Sequence, residues 1–440
     1  MSNSSEFQKI VTDAIDSAED DEVEVFVSSL NNSKAIIWNF TDQLIQVPTD
    51  YGYSITTLQA KTAYYDGEYV DLTGLLSFGE IELQSSTGND HIFLEGLESI
   101  FDYEVETDGG PPTRSFGNDT ITGSSEYLMI DLSDHAGAVV AEISDGNVNF
   151  SSSFGSIDAE NVAKLEGSDN FGDTLSGDAG DNSLDGNEGD DTLYGNEGAD
   201  RLYGDEGNDT LDGGGGFDNL IGGAGNDIID GGAGEDALDY STSTSKILLD
   251  ASLGTATDGL GGIDTFQNTE TFYGSIFDDE LLGKATDETV PIELNALNGD
   301  VRNYEQFRGD DGADYIDGGG GYDELSYTNA TFGLTIDLAK NFQADGHGNV
   351  DTILNIEGVE STKYDDLIYG TEGGNSLDGR FGNNTIDGRG GFDFVEYNGA
   401  GRHNLELNLS TGIATFTKGA DGTLFTDNLV NIEGVIGSDN

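Results

Sequence analysis

The sequence of 440 residues contains no cysteine, four prolines, one tryptophan and few basic residues. Without cysteine, neither disulfide bonds nor thiolate-bound metals can hold the fold together. There are 16 Lys and Arg against 86 Asp and Glu, and the formal net charge of −70 excludes nucleic acid and anionic membrane surfaces as direct partners. No run approaches the roughly eighteen apolar residues of a membrane span, and the N-terminus lacks the basic and apolar regions of a secretory signal peptide.

What the sequence does contain is glycine, 65 residues in all, much of it recurring with a fixed period between residues 177 and 239. The run reads GDAGDNSLD, GNEGDDTLY, GNEGADRLY, GDEGNDTLD, GGGGFDNLI, GGAGNDIID and GGAGEDALD. Positions 1 and 4 are always Gly, position 6 is Asp except at Asn182, and position 8 is always Leu or Ile. Such a period predicts a solenoid. Its Gly residues would turn the backbone through conformations closed to other residues, and position 8 would point inward.

These nonapeptides resemble the repeat of the RTX (repeats in toxin) family, GGxGxDxUx, in which U is a large apolar residue. The resemblance implies an all-β fold, a parallel β-roll whose repeats each form a six-residue turn and a three-residue strand. It also implies several Ca²⁺ ions along both edges, held by Asp carboxylates and loop carbonyls. A disordered linker rich in Gly and Asp would not explain the strictly spaced Leu.

The charge of the run independently indicates a bound cation. Between Glu166 and Asp239 there are 21 acidic residues and one basic residue, Arg201. One buried Leu per nine residues does not offset the entropy lost when the turn is ordered. Oxygen ligands without Cys or His favour a hard ion, and Ca²⁺ accepts oxygens in looser geometry than Mg²⁺. We therefore expect calcium binding to be coupled to folding.

The predicted calcium-binding residues are the position-1 Gly and position-6 Asp of the repeats, together with Asp in similar isolated turns. In the first run they are Gly186, Asp191, Gly195, Asp200, Gly204, Asp209, Gly213, Asp218, Gly222, Asp227, Gly231 and Asp236. Elsewhere they are Asp90, Asp119, Asp173, Asp279, Asp314, Asp323, Asp366 and Asp393. In the third run, 370–396, Asn375 and Asn384 replace Asp, so their sites are predicted to be weak or empty, with Arg380 and Arg389 available to replace the charge of the ion.

A longer module alternates with the repeats. Its four copies begin at Tyr127, Tyr240, Tyr327 and Tyr397, continue with a short apolar strand and end in a phrase such as NIEGV. We therefore predict an N-terminal helix (4–18) and β-rich domain over 1–110, and the first roll with flanking modules over 111–283. An irregular insert over 284–308 and two shorter roll runs with modules over 309–440 would follow. The relatively basic insert is a surface loop or a contact for an acidic neighbour.

The sequence contains no recognisable catalytic motif. HExxH and GxSxG are both missing, which argues against the metalloproteases and lipases that carry RTX repeats. The resemblance implies export through a type I secretion channel. We therefore expect a secreted, calcium-binding structural or interaction protein, extracellular or at the cell surface, in a surface layer, matrix, adhesive coat or self-assembling filament. Its partner would be another copy of itself or a cell-surface or matrix component. The alternative is an extracellular polysaccharide-acting enzyme in which the repeats serve secretion and stability.

Overall fold

The computed structural model describes residues 162–285, 304–398, 401–419 and 422–437, together with 24–26, 62–64, 69–71, 81–84, 91–97, 101–104, 117–124, 128–132, 138–144, 147–150 and 155–159. All regular elements in these ranges are strands, which confirms the all-β class. In the same ranges, no helix is long and apolar enough to cross a membrane. The predicted helix over 4–18 lies outside the described residues. The chain divides into two compact units, Met1–Asn219 and Leu220–Asn440, and the strand Asn219–Ile221 contains the point of division.

The described strands of the first unit form three sheets. The first is parallel and consists, in spatial order, of Glu24–Phe26, Ile81–Gln84, Phe101–Glu104, Leu128–Asp131, Val162–Glu166, Ser183–Asp185 and Arg201–Tyr203. The second consists of Asn147–Phe150, Val140–Ser144, Thr174–Ser176, Thr192–Gly198 and Thr210–Gly216, with an antiparallel first pair. The third consists of Gly155–Ala159, Gly117–Ser124, His91–Leu97, Tyr69–Asp71 and Thr62–Tyr64, with an antiparallel last pair.

Two nonapeptides make one coil of the roll. In the second sheet Leu175 pairs with Leu193 and Leu193 with Leu211, whereas Leu184 pairs with Leu202 in the first sheet. Successive repeats therefore place their strands in different sheets, and equivalent residues recur after two repeats. All five Leu side chains are 0% exposed. The prediction that position 8 points into the core is confirmed for these repeats.

Glycine has two separate roles in the turns. In the first run positive φ occurs at five of the seven position-4 glycines, as at Gly198 with φ of 128°, and at six of the seven position-2 residues, as at Asn187 with 66°, which Asn tolerates. Position 1 does not have positive φ, so the prediction of a special backbone conformation there is wrong. A Cβ on Gly186 would instead lie 2.5 Å from Oδ2 of Asp191. Gly is required at position 1 because the Asp side chain lies across it.

The described strands of the second unit also form three sheets. The first is parallel and consists of Ala237–Asp239, Thr271–Tyr273, Tyr304–Arg308, Tyr322–Ser326, Gly358–Glu360, Ser376–Asp378, Phe394–Glu396 and Gly434–Ile436. The second consists of Ile228–Gly234, Ile263–Gln267, Thr255–Thr257, Leu248–Asp250, Glu280–Leu282, Tyr315–Asp317, Val350–Leu354 and Phe342–Ala344. The third consists of Thr335–Asp337, Leu367–Tyr369, Thr385–Asp387, Thr423–Val430, Ile413–Lys418 and Arg402–Asn408.

The modules insert antiparallel strands into these otherwise parallel coils. Thr255–Thr257 pairs antiparallel with both Leu248–Asp250 and Ile263–Gln267. The tyrosines that open the three modules of this unit are all buried: Tyr240, Tyr327 and Tyr397. The modules therefore continue the core of the roll while they reverse the chain locally.

The end of the predicted insert belongs to the roll. Residues 304–308 form a strand, and the ring of Phe307, 0% exposed, stacks on Phe272 with centroids 5.5 Å apart. The Arg308 guanidinium lies 3.7 Å from the ring centroid of Tyr273 and pairs with Asp310 at 2.9 Å. Arg308 thus has partners within its own unit, and residues 286–303 lie outside the described residues.

Candidate metal centre

The position-6 side chains are joined into columns along the roll. The backbone N–H of Asp173 donates to Oδ1 of Asp191 at 2.6 Å, and the N–H of Asp191 donates to Oδ1 of Asp209 at 2.8 Å. The intervening repeats form a second series, consisting of Asn182, Asp200 and Asp218. We refer to a series in which each N–H donates to the side chain of the next member as a carboxylate column. Each column ties one coil to the coil that follows it.

Shorter columns occur in the described part of the second unit. In chain order their members are Asp227 and Asp264; Asp236 and Glu270; Asp279, Asp314 and Asp351; Asp323 and Glu357; Asp366, Asn384 and Asp427; and Asn375, Asp393 and Glu433. The last member of each is supplied by a module, and none of these last members was predicted as a site residue. Their sequence signal is an Asp followed six positions later by a Glu, which occurs in all three modules.

In a column Asp such as Asp191, Oδ1 accepts the N–H of the preceding member, and Oδ2 is buried against the position-1 Gly of the same turn. Asp191 and Asp200 are each 1% exposed, and no donor reaches their Oδ2 atoms. The same holds for Oδ2 of Asp314 and Asp393. A buried, ionised oxygen without a partner is costly. Because the column N–H groups occupy only Oδ1, a cation bound at Oδ2 would satisfy the carboxylate.

Burial shifts the ionisation of these groups. It raises the pKa of Asp191 and of Asp200 from 3.8 to about 7, although the column N–H opposes the shift. Burial likewise raises the pKa of Asp314 to about 9 and that of Asp393 to about 6. Such carboxyls bind either a proton or a cation near neutral pH.

The remaining predicted residues of the first run occupy equivalent positions. The six predicted position-1 glycines are buried: Gly186, Gly195, Gly204, Gly213, Gly222 and Gly231. Asp209, Asp218, Asp227 and Asp236 of this run, and Asp323 of the second run, are at most 2% exposed. Asp90 lies outside the described residues. Asp119 lies within the strand Gly117–Ser124, whereas a column Asp such as Asp191 precedes its strand.

The Asp residues that open a run have a different environment. Ser275 donates its N–H (2.6 Å) and its hydroxyl (2.9 Å) to Oδ2 of Asp279, and Ser168 reaches Asp173 in the same way. Oδ2 of Asp366 accepts from the N–H of Thr362 at 3.1 Å and its hydroxyl at 3.0 Å. In these three Asp residues, protein donors hydrogen-bond to Oδ2, the atom that has no donor in Asp191.

The arginines of the third run contact neighbouring coils. Nη1 of Arg389 donates to the carbonyl of Gly370 at 2.6 Å and pairs with Asp337 at 2.7 Å. Arg380 pairs instead with Glu360 at 3.4 Å. Arg389 therefore brings a positive charge to the carbonyl of the position-1 residue Gly370. That Arg380 and Arg389 replace the charge of an ion stays a prediction.

Main-chain oxygens would have to complete any ion site. In the described part of the chain, no three Asp, Glu or His side chains lie close enough together to hold a metal ion. Carbonyls are nevertheless close, since a Cβ on Gly195 would contact both Oδ2 of Asp200 and the carbonyl oxygen of Gly213. A site of one or two carboxylates with loop carbonyls suits Ca²⁺, which takes oxygen ligands in flexible geometry.

Comparison with known protein families agrees with this geometry. Four segments match the RTX calcium-binding nonapeptide repeat, 168–202, 203–238, 306–325 and 361–395. No curated protein matches the chain. The matched segments contain both columns of the first unit, and they confirm the family of the repeats and the calcium predicted from the sequence. The chain therefore contains RTX calcium-binding nonapeptide repeats, in four copies across residues 168–395, and such repeats bind multiple Ca²⁺ ions.

Proposed function

We propose that this protein is secreted and that it folds when its columns meet Ca²⁺ outside the cell. The observation that supports this is the set of buried Oδ2 atoms without a donor, as in Asp191 and Asp314. Extracellular calcium modules bind at about 10⁻⁴–10⁻³ M, far above cytosolic calcium. The chain would then stay unfolded at the low calcium concentration inside the cell and fold into the roll outside it. RTX repeat proteins are typically secreted, in agreement with this proposal.

In this proposal the column carboxylates hold the ions together with turn carbonyls. The Oδ2 atoms of Asp191, Asp200, Asp314 and Asp393 are the primary ligands. Asp209, Asp218, Asp227, Asp236 and Asp323 occupy the same place in their repeats and belong to the same set. Bound Ca²⁺ supplies the positive charge that an acidic run with a single Arg lacks.

The role that fits this architecture is structural, as a component of a surface layer, matrix, adhesive coat or filament. From residue 162 to residue 437, nearly all described strands belong to the coils or to the hairpins of the modules. Stacked repeats of this kind present extended surfaces that suit binding and assembly. We therefore propose another copy of the chain or a matrix component as its partner.

The test is a calcium titration of the purified chain, followed by circular dichroism and by sedimentation, with Mg²⁺ as control. A calcium-specific change from expanded coil to β-rich particle is expected near millimolar calcium. Large ordered particles would support self-assembly, whereas a compact monomer would point to a separate matrix partner. Full folding without calcium, or equal folding with Mg²⁺, would contradict the proposal.

A further inference from the structure

One column of the second unit leaves no oxygen for a cation. Its members are Asp366, Asn384 and Asp427, joined by N–H donation from Asp366 to Oδ1 of Asn384 at 2.9 Å and from Asn384 to Oδ1 of Asp427 at 2.8 Å. The column therefore has the same connectivity as the others. It differs in what the second side-chain atom of each member contacts.

In the middle of this column an amide group replaces a carboxylate. Nδ2 of Asn384 donates to the carbonyls of Gly379 at 2.9 Å and Phe381 at 3.3 Å. A Cβ on Gly379 would lie 2.6 Å from this Nδ2, just as a Cβ on Gly186 would lie 2.5 Å from Oδ2 of Asp191. The amide nitrogen thus occupies the place of Oδ2 and binds the turn carbonyls that would otherwise face an ion.

Hydroxyl groups close the two ends of the column. Oδ2 of Asp366 accepts from the hydroxyls of Ser361 at 2.8 Å and Thr362 at 3.0 Å. Oδ2 of Asp427 accepts from the hydroxyl of Tyr397 at 2.8 Å. Every second atom in the column therefore has a protein partner.

A neighbouring column in the same unit provides the contrast. Its middle member is Asp314, whose buried Oδ2 has no donor. The tyrosine that opens its module, Tyr327, is 6% exposed and its hydroxyl has no hydrogen-bond partner, whereas the equivalent Tyr397 reaches Asp427. The two columns share their topology and differ in whether protein groups fill the place of the ion.

We propose that the column of Asp366, Asn384 and Asp427 is calcium-free, and that the amide of Asn384 and the hydroxyls of Thr362 and Tyr397 take the place of Ca²⁺. The proposal rests on the calcium-binding function proposed above, because it identifies one column that binds no Ca²⁺ among columns that do. Asn384 is then the residue that sets the metal requirement of its turn. The third run therefore folds without an ion at this column. Its other column, Asn375, Asp393 and Glu433, retains one candidate ligand, Asp393.

The experiment exchanges the middle residues of the two columns, Asn384→Asp and Asp314→Asn. Bound calcium is counted by atomic absorption after equilibrium dialysis at saturating Ca²⁺. The Asn384→Asp variant is expected to bind about one Ca²⁺ more per chain than the unaltered protein, because Oδ2 now faces the turn carbonyls. The Asp314→Asn variant is expected to bind about one fewer.

A second variant, Tyr397→Phe, tests the column without adding charge. Loss of the hydroxyl leaves Oδ2 of Asp427 without a donor, so the melting temperature just above the calcium midpoint of folding should fall further than the melting temperature in saturating calcium. Unchanged calcium counts for Asn384→Asp together with an equal fall for Tyr397→Phe in both conditions would overturn the proposal. If Asp314→Asn lost no calcium, the fault would lie instead with the calcium columns of the proposed function.

Discussion

At the scale of single residues, the turn is built around the contact between Gly186 and Asp191. The carboxylate lies across the glycine, and this position holds Oδ2 inside the turn while Oδ1 accepts the column N–H. At position 1 the repeat needs a residue without a Cβ, because the Asp side chain fills that space. At positions 2 and 4 it needs residues that adopt positive φ. These are separate requirements that the same residue type, Gly, happens to satisfy.

Replacing Gly186 by Ala should weaken calcium binding without straining the backbone. The new Cβ would lie 2.5 Å from Oδ2 of Asp191, and overpacking of this kind costs about 1–3 kcal/mol. The midpoint of the calcium titration, read by circular dichroism, should therefore rise. The matched control is Gly180→Ala, where the nearest atom is a flexible Asp178 oxygen at 3.3 Å. Equal midpoints for the two variants would contradict this account of position 1.

The pH dependence of the calcium-free chain follows from the raised pKa values. Asp191 titrates at about 7 in the folded chain against an ordinary value of 3.8. As pH rises between about 4 and 7, the unfolded chain has lost this proton and the folded chain still holds it, so the calcium-free fold loses stability across this window. With chelator present, lowering the pH from about 7 to about 5 should increase β content. Apparent calcium affinity should change in the opposite sense, because protons compete with the ion. A chelated chain whose β content is independent of pH in this window would contradict the assignment.

At the scale of elements, each strand of the roll contributes one inward side chain to a ladder of like residues. Leu202 is 0% exposed and pairs with Leu184. Its removal should leave a cavity between two coils. The neighbouring Tyr194, at position 9 of its repeat, points outward with 40% exposure.

Leu202→Ala is expected to lower the free energy of unfolding in saturating calcium by about 2–5 kcal/mol. Tyr194→Ala, in the adjacent repeat, should change it by about 0.5 kcal/mol or less. Urea denaturation followed by circular dichroism measures both. A larger loss for Tyr194→Ala would show that the inward and outward positions had been exchanged.

The repeat strands could be predicted from the sequence because position 8 recurs without interruption. The module hairpins could not, since a short strand such as Leu248–Asp250 has the same pattern whether its partner is parallel or antiparallel. Asp264 was missed for a related reason. It follows Asp227 in its column after 37 residues instead of 18, so the fixed period that revealed the other Asp residues gives no signal there.

At the scale of the whole molecule, the dominant quantity is the net charge of −70. Dissolved salt screens exposed charges over about 10 Å at 0.1 M ionic strength. It screens a carboxylate that is 1% exposed, such as Asp200, much less. If the proposed coupling to calcium holds, folding is expected to require an ion at the columns and not to respond to ionic strength alone.

NaCl at an ionic strength matched to saturating CaCl₂ should leave the calcium-depleted chain expanded. The hydrodynamic radius, measured by sedimentation or small-angle scattering, distinguishes the two solutions. KCl serves as a second control for the identity of the monovalent ion. Compaction by NaCl alone would indicate that general repulsion, and not the columns, keeps the chain open.

The N–H of Asp191 donates to Asp209 two repeats later, so alternate repeats of the roll form separate series. Odd and even repeats belong to different columns, so an insertion or loss of a single nonapeptide transfers every later repeat of its unit to the opposite edge. An insertion or loss of two nonapeptides only changes the number of coils. Growth or shortening of such a roll by recombination is therefore tolerated in steps of one coil, and half a coil is the step that disrupts it.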